Sequence, residues 1–280
     1  MLKSNKMANT IRIIVFGRSG VGKTSMINLL IDKQYETANS AMGCTFETRA
    51  CYNENLENFN NFIFFDTAGL NEAAGGRVDK KKAIDNLIKL LKGVKEGIHL
   101  LIFVRKCETL TDEIDRKNYD LIVNHLTNNR IPCLCVNTNA ENERNLMCWW
   151  DNNKSMFSER KFHFRNGVSV CCSDLKSRRD YTEERNESKN ILWNAIFINI
   201  LEKPVVLYRE RSSMMEIVLK VQNFISNSRI FNLFTFNDIK QFFEGTNNER
   251  SIKRREFKSL LINEGLSDTE AEEIINGFDT

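Results

Sequence analysis

Residues 10–26 read TIRIIVFGRSGVGKTSM, an apolar run that breaks into glycines and then into a helix-forming stretch. The spacing predicts a β-strand over 10–17 and a helix over 23–33 directly behind the glycine turn. Gly17, Gly22, Lys23 and Thr24 fall at the spacing G-x-x-x-x-G-K-[ST]. A phosphate chain needs a concave backbone whose amides point inward, and side chains at the glycine positions would obstruct it. The candidate cradle is therefore Gly17, Arg18, Ser19, Gly20, Val21, Gly22, Lys23, Thr24 and Ser25. Within it Lys23 is placed to neutralise charge on the β- and γ-phosphates, and the Thr24 hydroxyl to ligate Mg²⁺. The dipole of the helix that starts there adds positive potential beneath the phosphates.

A second motif says what sits across from the loop. FIFFDTAG at 62–69 ends a strand on Asp66, with Gly69 three residues on. Asp66 would hold Mg²⁺ through water, and the Gly69 amide would meet the γ-phosphate. Between the motifs, GCTFET at 43–48 offers Thr45 to complete the metal's coordination, with Thr48 as competitor. ATP-using folds also end this strand on an acid, so the base is chosen elsewhere. After the apolar run PCLCVN comes Thr138-Asn139-Ala140-Glu141, where a guanine reader carries T/N-K-x-D. Glu141 can present its carboxylate to the guanine N1–H and N2–H₂ from a slightly longer arm. Asn139, however, lacks the aliphatic stem that lysine lays along the base. Guanine is the favoured base, with adenine left open.

Short apolar runs alternate with amphipathic ones as far as residue 200. TFETRACY and FNNFIFFD read as strands, and 79–92 as a helix with Ile84, Leu87, Ile88 and Leu91 at helical spacing. IHLLIFV, PCLCVN and GVSVCC read as further strands, with helices over 112–128, 142–160 and 184–201. Near-continuous apolar strands separated by helices imply a mostly parallel sheet covered on both faces. Pro204, one of two prolines, marks a domain boundary, beyond which the pattern is helical.

Composition excludes several classes. A net charge of +3 is too small to argue for nucleic acid or a membrane surface, and no apolar stretch is long enough to span a bilayer. The amino terminus MLKSNKMANT has no apolar signal core, which suggests a cytoplasmic protein. Eight cysteines lie without any CxxC pair or His-Cys cluster, and CLC at 133–135 and CC at 171–172 fall in expected strands, so they read as buried thiols.

Together these residues resemble the immunity-associated nucleotide-binding (IMAP-like, avirulence-induced) GTPases, a septin-related branch of P-loop GTPases. Beyond the phosphate motifs, the resemblance rests on GIHLLIFVRKCETLTDE at 97–113, similar to a box of that family in which Gly-x-His begins a strand and Thr followed by acids opens a helix. FFDTAGLNE and GCTFET fall in similar places, and the resemblance covers roughly residues 11–200. It implies a P-loop GTPase fold, α/β with a mostly parallel central sheet flanked by helices, in a G domain over 1–203. It implies binding of GTP and GDP and dimers or oligomers across the nucleotide face. With the Mg²⁺ ligands above and no side chain that serves as general base, the residues themselves point to slow or partner-dependent hydrolysis. A P-loop regulatory ATPase and a hydrolysis-inert nucleotide-binding scaffold are the alternatives.

The departures concern hydrolysis and base recognition. Leu70 stands where Ras-like proteins carry the glutamine that orients water, and Thr109 replaces the box arginine that some members use. Arg105 and Arg77 are the remaining candidate charge stabilisers. For the base-contacting fifth motif Asn166 ranks first and Ser173 second. His99 matches the box histidine, and Trp149-Trp150 reads as core or as a shield for the base. The region from 204 to the end reads as a small all-α appendage, within which 235–257 resembles a degenerate EF-hand. A loop opening at Gly245, with Arg250 and Lys253 inside it, lacks the chemistry for Ca²⁺. LSDTEAEEIINGFD resembles the entry helix of a second hand, which suggests a longer parent protein; a plain helical hairpin is the alternative.

Overall fold

The structure is a computed structural model that describes residues 10–32, 49–53, 61–67, 80–108, 112–173 and 180–209, with scattered positions from 214 to 272. Thr10–Phe16 (β1) leads through the glycine loop into Lys23–Ile31 (α1). Arg49–Asn53 (β2) and Asn61–Asp66 (β3) follow, then Lys80–Gly93 (α2) and Leu100–Lys106 (β4). Asp112–Tyr119 (α3) continues into a wider π-helical winding over Asp120–Leu126. Cys133–Thr138 (β5), Cys148–Glu159 (α4), Asn166–Ser169 (β6) and Thr182–Asn199 (α5) complete the described elements.

The sheet order is β2-β3-β1-β4-β5-β6. Only β2 runs antiparallel, against β3; the other five strands are parallel. Alternation within each strand explains why both faces are covered. Ile13, Val15, Ile102, Val104, Leu134 and Val136 pack with Met26 and Ile27 of α1 and Leu192 and Ile196 of α5. Ile14, Phe16, Leu101, Phe103, Cys133 and Cys135 pack on the other face with Leu90 and Leu91 of α2 and Trp150 and Phe157 of α4. Strand order reverses at β1: the chain goes to β3 on one side and β4 on the other. That opens a crevice at the carboxyl end of β1, where open parallel sheets place their ligands.

Several boundaries move from the sequence reading. β4 begins at Leu100, because Ile98 instead forms an antiparallel bridge with Val205. The Pro204 boundary is accordingly not an end of packing: Leu207, Tyr208, Met214, Ile217 and Val218 are buried in the α2 face, and the Tyr208 hydroxyl donates to Leu91 O at 2.9 Å. β6 ends at Ser169, so Cys171 and Cys172 lie just past it; both are buried, with the Cys171 amide donating to Ser188 Oγ at 2.8 Å. Burial drives the Cys133 and Cys135 thiols above their ordinary range, and they pack as small apolar groups. Among the described residues, no helix is long and apolar enough to cross a membrane.

His99 sits buried at the start of β4, far from the glycine loop, with its Nδ1 accepting the Arg12 amide at 3.1 Å. Burial, and secondarily the Arg12 charge, hold its pKa below the ordinary imidazole value. The unfolded chain therefore binds more protons, so this contribution to stability is full above about pH 6.5 and is lost as pH falls below it. Urea midpoints should drop between pH 7 and pH 5, and His99→Gln should flatten that part of the profile.

Candidate functional site

The phosphate loop is shaped by its neighbours as much as by its own glycines. Gly17 has φ +144°, and a Cβ there would lie 2.1 Å from Val104 O, so β1 and β4 could not approach with a side chain present. Gly22, at φ +93°, caps α1 in the left-handed region that favours glycine. Ser19 and Gly20 are exposed at the tip, and Val21 is buried beneath it. Lys23 folds back over the concavity, its Nζ donating to Gly17 O and Arg18 O at 2.9 Å each. Ser25 lies half-buried in the first turn of α1.

Asp66 ends β3 beside β1, at the register position of Val15. Its Oδ2 accepts the Thr24 hydroxyl at 2.7 Å, while Oδ1 is buried without a hydrogen-bond partner. Thr67 anchors the strand end, its amide and hydroxyl both donating to Val15 O at 3.0 and 2.9 Å. A buried carboxylate oxygen with no donor costs free energy unless something charged meets it. The hydroxyl–carboxylate pair is also the hard oxygen set that Mg²⁺ takes. The residues present fit that ion.

The base-side loop joins the same edge. Thr138 does not face a free pocket: its hydroxyl donates to Val21 O at 2.6 Å and lies 3.1 Å from Arg105 O. It therefore braces β5 to the phosphate loop and to β4. Asn139 takes φ +64°, a left-handed conformation that asparagine tolerates better than lysine. This turn starts the short 3₁₀ segment Ala140–Asn142 that carries Glu141, whose Oε2 is buried and has no hydrogen-bond partner. Cys107 and Cys171 flank Ala140 of the same segment. Burial pushes Cys107 up to about 12 and Cys171 up to about 11, so both stay uncharged beside the carboxylate.

Two expected site residues do not reach this edge. Arg105 points from β4 to the face opposite α1, is 1% exposed, and faces Asp115 of α3 with Nε–Oδ2 at 3.6 Å. Its guanidinium lies 4.9 Å from the Trp149 ring centroid and 5.4 Å from that of Phe157, and Nη2 donates to Glu108 O at 2.8 Å. It is a core residue, not a stabiliser of phosphate charge. Asn166 begins β6 opposite Leu134, at the amino edge of the sheet, and its Oδ1 accepts the Gly167 amide at 2.8 Å. A parallel strand puts its carboxyl end at the edge that carries the glycine loop, so Asn166 lies at the far end of β6, whereas Ser169 ends the strand at that edge. Thr45, Gly69, Leu70, Arg77 and Thr109 lie outside the described residues. Trp150 packs in the core, so tightly that a Cβ on Gly167 would sit 2.4 Å from its ring, and the half-buried Trp149 packs against that core.

Sequence reasoning missed one contact at the loop. Arg18 forms an ion pair with Glu108, which ties the phosphate loop to the turn after β4. Only the sheet order, which puts β4 beside β1, brings these two residues together.

A strand, a glycine loop closing on a helix, and a neighbouring parallel strand ending in a buried aspartate are the architecture of the P-loop GTPase fold. Residues 12–138, just under half of the chain, match the family model described as 50S ribosome-binding GTPase. The GTPase Der of Syntrophotalea carbinolica is 30% identical over 105 residues, which is 36% of this chain and 22% of that protein. The chain thus spans about a fifth of that relative. Among solved structures, Era in complex with MgGDPNP and part of 16S ribosomal RNA superposes with a TM-score of 0.50 at 17% identity, covering 70% of this chain and 59% of Era. Toc33 from Arabidopsis thaliana, in complex with GDP and Mg²⁺, covers 79% of this chain and 86% of its own at 17% identity and a TM-score of 0.44. The Era likeness supports the fold.

Proposed function

We propose that this chain is a guanine-nucleotide switch that binds GTP and GDP with Mg²⁺ and hydrolyses GTP slowly, faster when copies assemble. The observation that carries the reading is the Lys23–Thr24–Asp66 group, with its open carboxylate oxygen at the mouth of the glycine loop. Bound there, Mg²⁺ would offset the charge of the β- and γ-phosphates. Lys23 would leave the loop carbonyls for the phosphates, and the loop amides would position them. Glu141 supplies the guanine contact, its oxygen held in the wall that Asn139 turns into place. Thr45 and Gly69 complete the metal and γ-phosphate contacts in this reading.

Arg105 is committed to the core, so Arg77, a second copy or an effector is the source of any further positive charge. The finer likeness to immunity-associated GTPases, through 97–113 and 43–48, belongs to the same proposal. So do a cytoplasmic site of action, assembly across the nucleotide face, and protein partners in preference to nucleic acid at a net charge of +3. We divide the chain into a G domain to residue 203 and a helical appendage from 204, whose first part packs on α2.

Steady-state phosphate release tests this, across a wide range of chain concentrations and with Lys23→Ala as blank. Turnover of GTP should be slow and should rise per chain with concentration. No release above the blank at any concentration, or equal turnover of ATP, would contradict the proposal.

A further inference from the structure

We infer that the chain carries a second ligand site at the amino edge of the sheet, which takes a small organic anion: a phosphate or carboxylate on an apolar body. A cavity of about 460 Å³ opens there, between the π-helical segment, the start of β5 and the segment that leads into β6. That volume is within the range of small-molecule sites, roughly 300–1,000 Å³. Its floor is apolar, from Val123, Ile131, Pro132 and Phe164, and its rim carries Arg130, Arg165 and His163.

The charge at the rim is uncompensated among the described residues. Among the described residues, no carboxylate meets Arg130 or Arg165; Arg130 donates only to the neutral carbonyls of Thr127 and Val206, at 3.3 and 3.5 Å. The acid on the adjoining helical segment, Asp120, is already taken by both Nε and Nη2 of Arg116, at 2.9 and 2.7 Å, and by Asn124. Among the described residues, no acid lines the cavity. Two guanidinium forks above an apolar floor match a planar or tetrahedral anion attached to a hydrophobic group.

The local backbone is bent to make this opening. The π-helical winding closes with the Thr127 amide on Ile122 O at 3.1 Å and the Asn129 amide on Val123 O at 2.8 Å. Asn128 and Asn129 then take φ +49° and +56° in succession, which is uncommon for residues other than glycine. π-Helical turns are rare and occur often at functional sites. β5 runs from the cavity at Cys133 to the base-side loop at Thr138, about 16 Å at strand rise, so this is not the nucleotide pocket.

Calorimetric titration of the whole chain, saturated with GDP and Mg²⁺, compares phenyl phosphate, benzoate, inorganic phosphate and benzyl alcohol. Phenyl phosphate or benzoate should bind one to one, inorganic phosphate more weakly, and benzyl alcohol not detectably. Arg165→Ala and Arg130→Ala, both exposed positions, should each weaken the organic anion at least tenfold and leave GDP affinity unchanged. Lys23→Met titrated without nucleotide should show the same Arg130- and Arg165-dependent binding of the organic anion, because the site does not rest on the nucleotide reading. Absence of binding by both organic anions would overturn the proposal. So would binding indifferent to both arginines, or inorganic phosphate bound as tightly as phenyl phosphate.

Discussion

Lys23→Met weakens GTP binding by at least about 100-fold, while the chain still unfolds cooperatively. Methionine keeps the buried stem and removes only the ammonium. Lys23 Nζ lies over the loop with Gly17 O and Arg18 O as acceptors, so it needs only a short swing to exchange them for phosphate oxygens. A hydrogen bond to a charged group contributes about 1.5–3 kcal/mol, and every ~1.4 kcal/mol is tenfold in affinity. Two such bonds lost give the stated factor. The cost to the fold is the loss of the bonds that the ammonium donates to Gly17 O and Arg18 O, about 3–6 kcal/mol. It is offset by no longer burying a charge and set against the roughly 5–15 kcal/mol that holds a domain together. Fluorescent-nucleotide titration with Mg²⁺ reads the first effect and urea unfolding the second. Unchanged affinity would mean that Lys23 is a structural brace only.

Breaking the Arg105–Asp115 pair should be the most destabilising charge substitution among the described residues. Both side chains are 1% exposed, and the guanidinium sits between Asp115 and the rings of Trp149 and Phe157. Asp115→Leu leaves a buried cation that, among the described residues, meets the rings and Glu108 O, which costs about 3–5 kcal/mol. Burial already lowers the Arg105 pKa, but an arginine cannot shed its proton at neutral pH to escape. Removing both charges relieves the penalty, so Arg105→Met/Asp115→Leu should unfold at a clearly higher urea concentration than Asp115→Leu alone. If Asp115→Leu costs less than about 1 kcal/mol, the magnitude of an exposed pair, Arg105 is not committed to the core. It would then regain its candidacy at the phosphates.

The contrast between these residues explains what was legible in the sequence. Lys23, Thr24 and Asp66 are locally specified: each follows an apolar strand with a period and a turn chemistry that fix where the chain exits the sheet. Alternation in β1, β4 and β5 likewise fixed two covered faces, and the structure has them. Arg105 was misjudged because one step along a strand reverses the face, and the sequence does not number the register of β4 against β1. Asn166 failed for a related reason. A four-residue strand such as β6 gives no internal measure of which end is near, and only its pairing with Leu134 places it at the wrong edge. The Arg18–Glu108 pair could not be read at all, since it depends on strand order. Thr138 lies at the edge that carries the glycine loop, and its hydroxyl serves that loop.

The central claim is that the buried, unpartnered carboxylate oxygen of Glu141 reads guanine at the edge where Lys23 and Asp66 hold the phosphates. Equilibrium titration of wild type and Glu141→Ala with GTP and ATP analogues in Mg²⁺ tests it in one experiment. Wild type should prefer GTP, and Glu141→Ala should lose that preference by weakening GTP alone. Equal or better ATP binding by wild type, unaltered by Glu141→Ala, would contradict it.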